Sequence, residues 1–318
     1  MKNIIFIFAF LFLAACQDGG FDSARTQGAA NSKNSAGKSG SGTNLNNTII
    51  GGENVEPGSD ISRTVLSFKS LEKPLDSQAG RQEVAIKQCT AAALTRRVVL
   101  TAAHCINADN QSYVEIHSGV TVATIPVAKS ITLDEYASDP TADLALALLA
   151  EDLPENTITV SIPSPEMKVE LSTLDLIAAG YGKNTDVVAD AAPGSGLKEG
   201  LGVLRVVIMK ISQYEFTETR FLVDQSSGKG FCQGDSGGPA FFAHNSKFYV
   251  MGVASKTIAP EGQTETASGH CSFRGAYVNL LKFKPWIETT TQRLSQEIAS
   301  LQPAATAEQT TPPPAAAN

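Results

Sequence analysis

An all-β architecture is predicted by three observations. Short apolar runs separated by turn residues recur from about residue 49 to Leu281, the regular spacing of a sandwich or barrel. The piece Ile162-Pro163-Ser164-Pro165 divides that series near its middle and reads as a linker between two β subdomains. Helical periodicity is found in one segment, Lys284 to Leu301, where Ile287, Leu294, Ile298 and Leu301 share a face.

The predicted strands are, in order, Val84 to Ile86, Arg97 to Thr101, Tyr113 to Ile116, Val120 to Val127, Leu144 to Leu149 and Leu174 to Ala179. They continue with Leu201 to Ile211, Phe221 to Val223, Ala240 to Phe242, Phe248 to Ala254 and Gly275 to Leu280. The helix from Lys284 is expected to pack on the second subdomain. A length of 318 residues and a hydrophobic content of 42% suffice for one large domain or two smaller ones with a real core. The formal net charge of −7 and the lack of a dense basic run argue against a nucleic-acid partner.

The flanks are of another kind. Lys2, the ten-residue apolar run Ile4 to Leu13 and then Leu13-Ala14-Ala15-Cys16 resemble a bacterial lipoprotein signal peptide. The run is too short to span a bilayer as a mature helix. The resemblance implies removal of residues 1–15, lipid on Cys16 and residence at the cell envelope, at the outer membrane or its periplasmic or extracellular face. Residues 16–48, rich in Gly, Ser, Asn and Ala, read as a flexible tether or propeptide. Residues 303–318, rich in Pro, Ala and Thr, read as disordered. Export permits disulfides. Setting Cys16 aside leaves Cys89, Cys105, Cys232 and Cys271, which counting alone cannot pair. No Cys-x-x-Cys or His-x-x-x-His spacing suggests a metal site, and no cofactor is expected.

Chemistry concentrates at Phe231-Cys232-Gln233-Gly234-Asp235-Ser236-Gly237-Gly238-Pro239-Ala240. A turn this rich in glycine can aim two backbone N–H groups at one point beside the Ser236 hydroxyl. Acyl transfer needs that pairing, because an oxyanion develops there. A serine also needs a base. The four histidines are His104 at the end of an apolar strand, His117 inside a strand, His244 in a turn and His270 beside Cys271. Asp143, opening the apolar run Leu144 to Leu149, is placed to be buried and to orient an imidazole. Gly234-x-Ser236-x-Gly238 also fits the nucleophile elbow of α/β-hydrolases. That fold requires a helix after the serine, which Pro239 opposes, and alternating strands and helices, which this chain lacks.

Ile49-Ile50-Gly51-Gly52, Thr101-Ala102-Ala103-His104-Cys105, Asp143-Leu144-Ala145-Leu146 and Gly234-Asp235-Ser236-Gly237-Gly238-Pro239 occur in that order. Together they resemble the trypsin/chymotrypsin-like serine endopeptidases over roughly residues 49–290. The resemblance implies two six-stranded antiparallel β-barrels, about 49–160 and 170–283, with the active site between them and a C-terminal helix ending at 291–302. Ser236 would attack the scissile carbonyl, His104 would take its proton, and Asp143 would orient His104. The N–H groups of Gly234 and Ser236 would form the oxyanion hole. Disulfides Cys89–Cys105 and Cys232–Cys271 are implied as well. So is activation by cleavage before Ile49, whose freed amine would pair with Asp235. Partners would be protein or peptide substrates and an unidentified activating protease, one able to cut after Thr48.

The same resemblance assigns the specificity pocket to Gly230 at its floor, with Phe231, Ser255, Thr257 and Gly275 around it. Ser255 also matches the position that hydrogen-bonds the buried aspartate. Gly230 offers no charge for Arg or Lys, so small or medium uncharged side chains are expected; Lys229, Lys256 and Arg274 leave acidic ones open. The other reading of the chain is a non-catalytic, protease-like binding module on the cell envelope. Degenerate members of the family usually lose a triad residue, and here His104, Asp143 and Ser236 are all present.

Overall fold

The computed structural model describes residues 49–72, 85–107, 111–118, 121–164, 166–167, 174–184, 201–245, 247–261 and 271–301. The leader, Cys16, the tether, His270 and the segment after 301 lie outside them, as does the middle of the stretch between Thr257 and Cys271.

After a two-residue strand β1 (Glu53–Asn54), six strands close a first barrel: β2 (Val65–Glu72), β3 (Ala85–Ala93), β4 (Val98–Thr101), β5 (Ser112–Ser118), β6 (Thr121–Thr132) and β7 (Ala145–Leu149). Their order around it is β2-β3-β4-β7-β6-β5, with β5 returning to β2. Six more close a second: β8 (Asp175–Gly180), β9 (Arg205–Phe216), β10 (Arg220–Asp224), β11 (Pro239–His244), β12 (Lys247–Ile258) and β13 (Arg274–Asn279). There the order is β8-β9-β10-β13-β12-β11, with β11 returning to β8 and β1 joining β9 at Glu53↔Val206. All these pairs are antiparallel, so the expected two-barrel, all-β fold is present, and closure leaves no long sheet edge open.

Strand β2 was not in the predicted series. Its sequence, VLSFKSLE, breaks the apolar run with serines and lysine. The serines are tolerated inside because each has a partner: Ser70 Oγ donates to the Cys105 carbonyl at 2.8 Å, and Ser67 Oγ accepts from Gln88 Nε2 at 3.1 Å. Strand β12 runs past the expected Ala254 because it stays paired with β13 through a bulge. Ala254 faces Tyr277 and Lys256 faces Ala276, which leaves Ser255 as the extra residue.

The helix α1 (Leu280–Leu301) begins four residues earlier than predicted. The Asn279 side-chain oxygen accepts the Leu281 N–H at 3.2 Å, a cap that ends β13 and starts the helix. Its buried residues, Leu280, Phe283, Ile287 and Leu294, join a cluster containing Val99 and Leu146 of the first barrel as well as Val253 and Val278 of the second. Lys129 of β6 reaches Glu297 at 2.8 Å. The helix therefore packs across both barrels, not on the second alone, because its apolar residues find partners on each.

Disulfides join Cys89 to Cys105 and Cys232 to Cys271, across 16 and 39 residues of chain. The first braces the turn after β4; the second ties the segment before Ser236 to the turn before β13. By loop-closure entropy, replacing each pair with serine is expected to cost about 3 and about 4 kcal/mol respectively. Urea unfolding of the two variants checks this, and equal midpoints for variant and parent would contradict it.

Candidate active site

His104 sits on a 3-10 turn, Ala103–Cys105, immediately after β4. Its Nδ1 lies 2.6 Å from Asp143 Oδ2, and its backbone N–H donates to Asp143 Oδ1 at 2.9 Å. Ser255 Oγ donates to the same Oδ2 at 2.6 Å. The β12 bulge is what turns Ser255 toward this carboxylate. Asp143 is only 3% exposed. Burial pushes its carboxyl upward, but the His104 hydrogen bond and charge, the Ser255 hydroxyl and the His104 N–H together bring it below the ordinary value. With an acceptor held at Nδ1, the ring carries its proton there and leaves Nε2 able to accept another.

Ser236 stands across from this pair. Its Oγ lies 3.5 Å from the Ser255 carbonyl oxygen, at the outer limit of a hydrogen bond. Ser236 and His104 are not hydrogen-bonded to each other in this structure; Ser255 links the two groups, with its hydroxyl on Asp143 and its carbonyl beside Ser236. Gly234 has φ +98°, a conformation that a β-carbon would make costly. Its carbonyl is turned away to accept from Thr90 Oγ1 at 2.9 Å. Among the described residues, the N–H groups of Gly234 and Ser236 have no protein acceptor, whereas those of Asp235, Gly237 and Gly238 are all bonded. Two unsatisfied donors flanking one hydroxyl are a ready site for a developing oxyanion.

Thr90 of β3 was not visible as a site residue. Its N–H donates to the Ser236 carbonyl at 2.8 Å, and its Oγ1 accepts the Tyr181 N–H at 3.0 Å while bonding Gly234. One threonine of the first barrel thus fixes the Ser236 turn of the second. No local pattern in the sequence announces it, since its partners are more than ninety residues away.

Asp235 is buried, at 2% exposure. Its Oδ1 accepts the Gly182 N–H at 2.7 Å and its Oδ2 the Cys232 N–H at 2.8 Å. Burial pushes its carboxyl up to about 7, against the pull of those two N–H groups and of the Arg205 charge. Arg205, itself 3% exposed, donates to the Gly182 carbonyl at 3.2 Å, so one residue, Gly182, bridges the acid and the cation. Ile49 is fully buried in the second barrel's core, with φ +40°, a strained setting for a β-branched residue. A carboxyl raised on folding adds stability while both states are protonated, below the unfolded value near 4, and that contribution is lost as pH rises through about 7. Thermal unfolding of the uncleaved chain is therefore expected to show a melting temperature that falls between about pH 4 and pH 7. Asp235→Asn should flatten that slope; an unchanged slope in the variant would count against the assignment.

Around the expected pocket, Thr257 pairs with Gly275 and Lys256 with Ala276, while Gly230 bridges Ile50. Phe231 does not stand in a solvent-facing wall. Its ring is 2% exposed and packs edge-on against Tyr277, centroids 5.0 Å apart, because the apolar interior of the second barrel competes for it. Of the other histidines, His117 packs tilted against the Tyr181 ring and lies 3.4 Å from Glu115, and His244 ends β11; neither joins the site. Cys89, His104 and Cys105 have their ligand atoms within 4.8 Å of one another, but the two sulfurs are bonded together and are not thiolates.

Two closed six-stranded antiparallel barrels, with a C-terminal helix across them, define a chymotrypsin-like serine protease domain. The Trypsin family model matches residues 49–287, and the chain belongs to that family. It is similar to Transmembrane protease serine 11B of Homo sapiens, 26% identical over 265 residues, which is 79% of this chain and 58% of the human protein. It is also similar to the Phenoloxidase-activating enzyme of Bombyx mori, 36% identical over 64 residues, 20% of this chain and 13% of the moth protein. The chain thus spans little more than half the length of the first relative and a small part of the second.

Proposed function

We propose that the chain is a serine endopeptidase in which Ser236, His104 and Asp143 form the catalytic triad. The observation that carries this is the Asp143 carboxylate held by His104 Nδ1 and Ser255 Oγ, both at 2.6 Å, opposite a serine flanked by two unsatisfied N–H groups. Rotation of the Ser236 hydroxyl toward Nε2 completes the relay; such bonds commonly tighten only with substrate bound. The serine oxygen then bonds to the scissile carbonyl carbon as its proton passes to Nε2. Asp143 stabilises the imidazolium, and the oxyanion takes the Gly234 and Ser236 N–H groups. Collapse breaks the C–N bond, and the amine leaves with the proton from Nε2. Water repeats the sequence on the acyl-enzyme and frees the acid.

Processing between Thr48 and Ile49 belongs to this reading. The freed Ile49 amine would give buried Asp235 a full cationic partner in place of the remote Arg205, which supports a switch, since a buried charge is costly until paired. The Leu13-Ala14-Ala15-Cys16 sequence supports a lipid-anchored, exported precursor. Because the four remaining cysteines are paired within the domain, no disulfide would retain the domain after cleavage, and release would accompany activation. A fluorophosphonate probe tests the reading: it should label Ser236 in a chain whose N-terminal sequence begins at Ile49. A processed chain that takes no label would favour the binding-module alternative.

A further inference from the structure

Gln225 follows β10 and is fully buried. Its Nε2 donates to the carbonyls of Phe231, at 3.1 Å, and Cys271, at 2.5 Å; its Oε1 accepts the Phe231 N–H at 3.1 Å. The carboxamide therefore bonds main chain on both sides of the Cys232–Cys271 disulfide. A β-carbon at Gly230 would lie 2.5 Å from Gln225 Cγ and closer still to its Cδ. One at Gly275 would collide with Gln225 Oε1 and with the Phe231 ring. The volume that a side chain at 230 would occupy is filled by Gln225, and that at 275 by Gln225 together with the Phe231 ring.

Three segments border this region. The chain from Gly230 to Ser236 forms one side. Ser255 to Thr257 forms another, meeting Ser236 at the Ser255 carbonyl, 3.5 Å from Oγ. Cys271 to Gly275 forms the third, held by the disulfide and by the Thr257↔Gly275 pairing. Ser255, beside the Ser236 hydroxyl, is two residues from Thr257, whose partner Gly275 abuts the Gln225 carboxamide. That carboxamide is neutral and both of its N–H donors are committed, so it offers a donor or a charge to no incoming group.

We propose that Gln225 is a specificity-determining residue: its carboxamide is the floor of the pocket for the side chain on the acyl side of the scissile bond, and it restricts that pocket to small uncharged side chains. This rests on the protease reading above. It also explains Gly230 differently from a simple loss of charge, since an acid placed there has no room while Gln225 is present.

The test uses the processed, fluorophosphonate-reactive chain and fluorogenic peptides that differ only in having Ala, Val, Leu, Phe or Arg before the cleaved bond. The parent should prefer Ala or Val. Gln225→Ser should raise the kcat/KM ratio of Leu over Ala at least about ten-fold, the scale of discrimination per methylene in a pocket. Gln225→Met, which keeps the bulk and loses the hydrogen bonds, should keep the parent's ranking. Gly230→Asp alone should lower the melting temperature without producing cleavage after Arg, and Gly230→Asp with Gln225→Ser should recover stability and cut after Arg. Should Gln225→Ser fail to fold, Gly230→Ala decides: its methyl must displace Gln225, so a clear fall in melting temperature is expected. A labelled Gln225→Ser with the parent's ratio, a Gly230→Asp that cuts after Arg unaided, or an unaffected Gly230→Ala would each overturn the inference. Absence of label on the parent would instead overturn the protease reading on which it rests.

Discussion

Ser236→Ala is expected to lower kcat/KM on the order of 10⁶-fold and to abolish fluorophosphonate labelling, with the melting temperature almost unchanged. The stability half follows from the contacts. The hydroxyl's neighbour is the Ser255 carbonyl at 3.5 Å, too long to contribute much, while the backbone bonds that shape the turn run through main-chain atoms alanine retains. What survives should be the activity that binding and the two N–H donors supply without a nucleophile. Steady-state kinetics on the processed variant, beside differential scanning calorimetry, checks both halves. Retention of even one per cent of the parent's activity would require a different nucleophile.

Asp143→Asn should cost about 10⁴-fold in kcat. The geometry shows why an isosteric change is so damaging. Both carboxylate oxygens serve as acceptors: Oδ1 for the His104 N–H, Oδ2 for His104 Nδ1 and the Ser255 hydroxyl. An amide must set its NH₂ against a donor in either orientation, and the ring is driven toward the wrong tautomer. Unlike the serine variant, this one should also lose stability, because a buried donor is left without an acceptor. A pH signature separates the two effects. The folded value of Asp143 is depressed, so its stabilising contribution is present above the unfolded carboxylate value near 4 and disappears as pH falls through the folded one. The parent should therefore lose this contribution on the acid side of pH 4, a loss that Asp143→Asn cannot show. Urea midpoints measured from pH 6 down to pH 3 would reveal it, and identical acid limbs would argue against the assignment.

Much of this could be read from the chain because short motifs carry local chemistry. Asp143 precedes an apolar strand that drags it inside; Cys105 follows His104 and anchors its turn; the glycines around Ser236 permit the backbone that exposes two N–H groups. The evenly spaced strands implied an all-β sandwich or barrel. Illegible features depend on partners far away in sequence. β2 hides behind serines whose acceptors and donors come from other strands. Thr90 gains its position from Gly234, Ser236 and Tyr181 together. Gln225 looks like an ordinary polar loop residue until Gly230 and Gly275 are brought beside it. The bulge at Ser255 arises from the register of two strands and has no residue-level mark. The helix follows the second barrel in the chain, yet its buried residues pack against both barrels.

The clamp that Thr90 places on the Ser236 turn makes the reactive centre a reporter of how well the two barrels stay docked. Three of its bonds cross from one barrel to residues of the other, and two of them end on the Gly234 and Ser236 carbonyls of the turn that carries the oxyanion donors. A slight parting of the barrels would misalign the Gly234 and Ser236 N–H groups long before either barrel melted. Heat, denaturant or a force pulling on one end of the chain would then silence turnover as its earliest symptom, with each β-barrel still intact.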